Sequence, residues 1–296
     1  MSREISRVRF ENAPSILTID LEEWFCVCGD DYFGDARRWG RFESRVVALT
    51  ERLLETLARG GHRATFFVLG WVAREQPALV RAIARAGHEI AFHGMEHRRC
   101  FEMTEQQFRS DLRSGRELLE PLAGVRLIGF RAPEWSIRSL EDPALRVLAE
   151  EGFLYDSSVT PVPLIGTSGN EPYPSAIAFP DGGRLLEFPP LSGRAYFTTV
   201  LLGGSWAFRS VPLRVVRKNA DRFREAGAPP TFTFHPWELD SDHPPMTGLP
   251  ALSRLAHFGS FVNLGKRLDK LLAGGRMHAF NELAGGSGRE GREQAG

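Results

Sequence analysis

Apolar and polar positions alternate between two periodicities along most of the chain. Short apolar runs of strand length come first. Ser15-Ile16-Leu17-Thr18-Ile19-Asp20 ends on an acid, Ala64-Thr65-Phe66-Phe67-Val68-Leu69-Gly70 follows, Glu89-Ile90-Ala91-Phe92-His93 ends on a histidine, and Leu127-Ile128-Gly129-Phe130-Arg131 ends on an arginine. Continuous apolar runs of this length predict strands buried on both faces. Between them, apolar residues recur at helical spacing. Val46, Leu49, Leu53, Leu54 and Leu57 predict a helix within Glu43 to Arg59, stopped by Gly60-Gly61. Pro77 opens a second helix that runs to Ala86 before Gly87, Thr104-Glu105-Gln106-Gln107 reads as a capping box for a third to about Leu122, and Pro143 to Glu151 forms a fourth.

Strand and helix thus alternate four times, which predicts a parallel sheet with right-handed crossovers, closed or nearly closed into a barrel. The segment Pro161 to Ala195 reads as loops and short strands, including Arg184-Leu185-Leu186-Glu187-Phe188-Pro189. Val211 to Arg224 is expected to be helical, Pro229 to His235 to be a last strand, and a C-terminal helix is expected from about Phe258. The whole of 1–284 is read as one domain with an extension from about residue 240, and 285–296, rich in Gly, Glu and Arg, as a disordered tail.

Lys+Arg and Asp+Glu both total 37, so no global basic field recruits nucleic acid. No apolar run approaches the roughly 18 residues of a membrane-spanning helix. The polar start, Met1 to Arg9, lacks the pattern of a signal peptide, which points to a cytoplasmic protein, with membrane association only through a biosynthetic complex. Cys26, Cys28 and Cys100 are an odd number and too sparse for a four-ligand structural zinc site, so they read as reduced thiols.

The sharpest local feature is His93-Gly94-Met95-Glu96-His97. Two histidines at i and i+4 can offer imidazoles to one metal ion, and a third ligand is usually a carboxylate. Asp20-Leu21-Glu22-Glu23 supplies candidates. Asp20, His93, Arg131 and His235 each end a predicted strand, the end of such a sheet where chemistry gathers. His62, His88, His243, His257 and His278 have no such placement and read as ordinary histidines.

Taken together, Leu17 to Trp24, Ala64 to Gly70, His93 to His97, Phe130-Arg131-Ala132-Pro133, Tyr155-Asp156-Ser157-Ser158 and Phe234-His235-Pro236-Trp237-Glu238 resemble the polysaccharide deacetylases of carbohydrate esterase family 4, in that family's order. The subgroup most resembled is the one found with bacterial exopolysaccharide export and protein-sorting systems. The resemblance implies a distorted (β/α) barrel of about seven strands and a divalent metal, zinc first and cobalt or another divalent ion as the alternative. His93 and His97 are then two ligands. The family's usual Asp-Asp pair is broken here by Leu21, which cannot bind metal. Because a strand alternates faces, Asp20 and Glu22 point the same way. Asp20 is therefore expected to be the base and Glu22 the third ligand, with Glu23 as the other option.

The remaining roles follow. Arg131 positions Asp20, and His235 protonates the leaving amine. Asp156 orients His235 or serves as a turn residue, and an oxyanion donor is expected near Glu134 or Trp135. Trp24, Trp135 and Trp237 flank motifs and are expected to stack on sugar faces, ordinary packing being the alternative. Pro133 and Leu239 are expected on the substrate side, Leu239 at the acetyl methyl. The implied reaction is N-deacetylation of an oligo- or polysaccharide or its precursor. The rivals are deacylation of a lipid-linked or nucleotide sugar or of a small amide, and a non-catalytic carbohydrate-binding barrel.

Overall fold

In a computed structural model the structure describes residues 3–284 except 31, 164, 196, 241, 243 and 245–263. The strands are β1 (Glu4–Arg7), β2 (Ser15–Leu21), β3 (Thr65–Val68), β4 (Glu89–Phe92), β5 (Gly129–Phe130), β6 (Tyr155–Asp156), β7 (Ser175–Ala178), β8 (Arg184–Glu187), β9 (Ser192–Ala195), β10 (Thr198–Leu201), β11 (Thr231–Phe234) and β12 (Met277–His278). The helices are α1 (Val46–Arg59), α2 (Gly70–Glu75), α3 (Pro77–Arg85), α4 (Glu105–Ala123), α5 (Pro143–Glu150), α6 (Ser205–Ser210), α7 (Leu213–Glu225), α8 (Leu264–Leu272) and α9 (Asn281–Ala284).

Among the described residues seven parallel strands run in the order β11-β2-β3-β4-β5-β6-β8, and β12 pairs parallel with β2 off that path. They form the curled (β/α) sheet that the alternating pattern predicts. β2, β3 and β4 are buried along their whole length, as their unbroken apolar runs require. Past β8 the chain crosses toward the opposite edge, where Leu191 N–H donates to Thr231 O at 3.0 Å and Gly204 bridges Thr233, so the sheet nearly closes. Outside this set, β7 lies antiparallel to β8 and β1 antiparallel to β7, while β9 and β10 pair as a separate hairpin.

Helix limits follow local chemistry. Thr104 and Gln107 form a reciprocal capping box at the start of α4, and Gly124, at φ 72°, ends it in the left-handed conformation. Midway along α4, Gly115 lets the helix sit on β4: a Cβ there would lie 2.4 Å from the Phe92 ring. The expected C-terminal helix is present as α8, while its start near Phe258 and the tail 285–296 lie outside the described residues. The extension after His235 is tied back by Arg45, whose Nη1 meets Asp240 Oδ2 at 2.8 Å. Among the described residues, no helix is long and apolar enough to cross a membrane.

Gly115→Ala is expected to destabilise the protein by about 1–3 kcal/mol, because overpacking against Phe92 outweighs the helix-propensity gain of alanine. Denaturant unfolding of the two proteins checks the sign, since propensity alone predicts stabilisation.

Candidate active site

Four loops leaving the C-terminal ends of the parallel strands meet over a cavity of about 540 Å³, lined among others by Asp20, Glu22, His93, His97, Trp135, His235, Trp237 and Glu238. The expected parity at the end of β2 is present. Asp20 and Glu22 face the cavity while Leu21, between them, is buried in the core. Glu23 turns away. Its carboxylate accepts from Ser44 Oγ and from the backbone N–H groups of Arg45 and Val46, so it caps the start of α1. Of the two carboxylates left open by the sequence, only Glu22 lies with the histidines.

One ligand atom from each of Glu22, His93 and His97 can be chosen so that all lie within 4.8 Å of one another. Glu22 Oε2 is 2.8 Å from His97 Nε2 and 3.7 Å from His93 Nε2, and this buried oxygen meets no donor besides these imidazoles. Each imidazole is fixed from behind. His93 Nδ1 donates to Arg131 O at 2.8 Å, which turns Nε2 toward Glu22. His97 Nδ1 meets Cys28 Sγ at 3.2 Å, and the Cys28 thiol donates to His97 O at 2.8 Å. A buried carboxylate oxygen facing only two back-bonded imidazoles fits a divalent cation of the zinc type. Burial pushes the Glu22 carboxyl up, but the imidazoles of His97, His235 and His93 reverse this and hold it well below the usual carboxylate range.

The loop carrying the histidines is held on two sides. Gly94 sits at φ 78°, and its carbonyl and that of Met95 accept the first two N–H groups of α2, from Gly70 and Trp71, each at 2.9 Å. Met95 N–H donates to Asp111 of α4, whose carboxyl burial raises to about 6. His97 itself lies at φ 53°, and Glu134 and Trp135 on the facing loop lie at 50° and 56°. Such conformations in residues other than glycine cost on the order of 1–3 kcal/mol each and need a surrounding structure that imposes them.

Arg131 is wholly buried. Its Nη1 donates to Asp20 Oδ1 at 2.7 Å and to Thr18 Oγ1 at 2.8 Å, and its Nε and Nη2 donate to Ser157 O and Oγ. Across the cavity His235 Nε2 lies 3.8 Å from Asp20 Oδ2 and 3.6 Å from Glu22 Oε1. Burial alone would lower the His235 imidazole, but the carboxylates of Glu22, Glu238 and Asp20 raise it to about 9.

Some expectations change. His235 is oriented by Glu238, 3.1 Å from its Nδ1, and not by Asp156. Asp156 accepts from Ser158 Oγ and is paired with Glu187, both fully buried, behind the Arg131 loop. Trp24 does not line the cavity: its Nε1 donates to Glu43 O and its ring packs among Phe25, Phe33 and Phe42. Pro133 is buried beneath Gly94, and Leu239 packs on the core. Trp135 and Trp237 do line it, and Trp237 Nε1 donates to Glu22 Oε1 at 3.2 Å. Trp135 N–H is given to Ala132 O, which removes it as an oxyanion donor. Glu238 and Cys28 were missed. Glu238 stands three residues after His235, the spacing of a capping box, which was a usable signal; Cys28 had none, since only folding brings it to His97.

The fold is the curled α/β sheet seen in crystal structures described as polysaccharide deacetylases. Residues 39–153 match the polysaccharide deacetylase family, and residues 157–284 match a domain of unknown function, DUF3473. The chain is 37% identical over 123 residues to a peptidoglycan deacetylase-like protein of Gibberella zeae, covering 41% of this chain and 35% of that one. It is 31% identical over 131 residues to a peptidoglycan deacetylase of Helicobacter pylori, covering 44% and 43%. The crystal structure of a candidate polysaccharide deacetylase from Mycobacterium smegmatis superposes with a TM-score of 0.62 at 25% identity, covering 95% of this chain and 94% of that one. The chain thus resembles the polysaccharide deacetylases in sequence over residues 39–153 and in fold over nearly its whole length. Its matches span less than half the length of those two curated relatives.

Glu23→Gln is expected to cost about 1–2 kcal/mol of stability through loss of the cap on α1. Thermal unfolding reads the loss; a variant as stable as the parent would contradict the capping role.

Proposed function

We propose that the chain removes N-acetyl groups from an amino-sugar glycan or its precursor, with Glu22, His93 and His97 holding a divalent cation, zinc first and cobalt as the alternative. The observation that carries this reading is the buried Glu22 oxygen that meets only two back-bonded imidazoles, flanked by a clamped Asp20 and a carboxylate-backed His235. The match of residues 39–153 to the polysaccharide deacetylase family, and relatives named as peptidoglycan deacetylases, support N-acetylated glycan as the substrate class. Resemblance to the exopolysaccharide subgroup supports a cell-surface polymer or its precursor.

A bound cation of this kind supplies Lewis acidity toward a carbonyl oxygen and makes a neighbouring water more acidic. The protein groups do the proton work. Arg131 occupies Asp20 Oδ1, which leaves Oδ2 facing the cavity to accept a proton from attacking water. His235 carries a proton at neutral pH, and its Nε2 lies on the same side as that oxygen, so it can deliver the proton that a departing amine needs. Glu238 fixes the ring from Nδ1 and stabilises the imidazolium. Trp135 and Trp237 offer flat apolar walls to a sugar ring.

Acetate release from chitopentaose and from peptidoglycan fragments is expected only from cation-loaded protein. Asp20→Asn should lower the rate by about 10²–10⁴, and Glu22→Gln should abolish cation uptake, read independently by the visible spectrum of added cobalt. Normal uptake by the Glu22 variant, or no acetate from the loaded protein across a broad N-acetyl sugar panel, would overturn the reading.

The pH profile follows from His235. The proton-donating form is present below about 9 and is lost as pH rises through that value. Glu238→Gln removes a carboxylate that favours the charged ring, so the alkaline limb of kcat/KM should move to lower pH. An unmoved limb would rule out Glu238 as the residue that positions and charges His235.

A further inference from the structure

The cavity mouth carries two arginines whose charges are spent differently. Arg99 is fully engaged: its fork meets Glu134 at 2.7 and 2.8 Å, and its Nη1 meets Glu102 at 3.3 Å. Arg138 stands on the same wall and is exposed, yet among the described residues no carboxylate pairs with it. Its guanidinium lies 4.5 Å from the ring centroid of Phe101, which also lines the mouth and is 52% exposed. Its backbone is anchored as well, since Asn170 Nδ2 donates to Arg138 O at 2.7 Å.

A guanidinium laid on an aromatic ring is held in place while its N–H edge stays outward, the geometry suited to a carboxylate or phosphate. The deeper charges offer no such vacancy for an anion on the substrate. Arg131 is bound to Asp20, and Arg209 lies 3.9 Å from Glu238. A neutral sugar polymer would use the exposed Phe101 face but would leave the Arg138 charge unmatched.

We propose that Arg138 and Phe101 form an anion-selecting subsite, and that the glycan carries an acidic group, a uronate or a phosphate, close to the N-acetylated residue. This rests on the deacetylase reading for the identity of the sugar, but the recognition itself can be measured without turnover. Phe101 stacks on the apolar face of a sugar ring, and Arg138 pairs with the acid that the ring or its neighbour bears.

The test compares three N-acetylated probes on zinc-loaded protein: neutral chitopentaose, a hyaluronan hexasaccharide for the uronate, and UDP-N-acetylglucosamine for the phosphate. Acetate release is measured with the parent chain, and calorimetric binding with Asp20→Asn. An acidic probe is expected to be preferred over the neutral one by about tenfold at low salt, as a charge-assisted hydrogen bond allows, with the preference shrinking as salt screens it. Arg138→Gln should collapse that preference ratio and Arg138→Lys should retain part of it, and whichever acidic probe responds identifies the source of the charge. A preference unchanged in Arg138→Gln, or no preference for either acidic probe in both binding and turnover, would overturn the subsite. Acetate release from none of the probes, with the binding preference intact, would instead sink the deacetylase reading and leave the subsite standing.

Discussion

A single buried guanidinium ties the site together. Arg131 has no solvent to stabilise its charge, so its place in the core is tolerable only because its donors are met by Asp20, Thr18 and Ser157. Those partners come from β2 and from the turn after β6, while the arginine itself follows β5. Its backbone carbonyl accepts from His93 after β4, and its guanidinium lies 4.1 Å from the ring centroid of Phe67 on β3. One residue thus aims the acid on one flank and one imidazole on the other. The Asp20 carboxylate and the His93 imidazole cannot drift apart without leaving a charge buried and unpaired.

That dependence explains which parts could be seen in the sequence. β2, β3 and β4 are dry on both faces, so their composition is dictated by burial and their polar end residues stand out. Helices α4 and α5 carry their own N-caps, Thr104 and Asp142, α3 opens on Pro77, and α1 stops at Gly60-Gly61. The β1–β7 edge was not legible: β1 is exposed along its length and β7 only half-buried, so neither shows a burial pattern strong enough to name a strand. β6 is two residues long, too short for any periodicity, and Asp156 on it was assigned by motif to a task that the fold gives to Glu238. Trp24 illustrates the opposite error. A tryptophan beside a motif has as much reason to fill the space under α1 as to face a sugar, and sequence adjacency does not distinguish the two.

Local strain is concentrated where the two site loops face each other. His97, Glu134 and Trp135 all sit in the left-handed region, and the contacts that impose this form one connected set. Cys28 holds His97 by its carbonyl and ring, Cys28 N–H donates to Glu134, and Glu134 is gripped by Arg99. Asp111 and the start of α2 fix the other end of the histidine loop. The rigidity needed to hold two imidazoles in register therefore comes from polar contacts beneath the cavity, leaving its walls free for aromatic rings.

The electrostatics of the pocket point the same way. Burial works against charge on Glu22, His97 and His235 alike, yet the two imidazoles drive Glu22 toward its charged form, Glu22 and Cys28 do so for His97, and Glu22, Glu238 and Asp20 do so for His235. Two acids at the end of one strand, Asp20 and Glu22, leave excess negative charge after Arg131 has matched one of them. A divalent cation held by Glu22, His93 and His97, as proposed, would compete with protons for the imidazole lone pairs to balance the other, so its uptake would release protons. Leu21 serves this balance by absence: an acid there would enter the core, where β2 is covered on both sides. The acids are therefore restricted to alternate positions, the parity that sets one carboxylate toward Arg131 and the other toward the histidines.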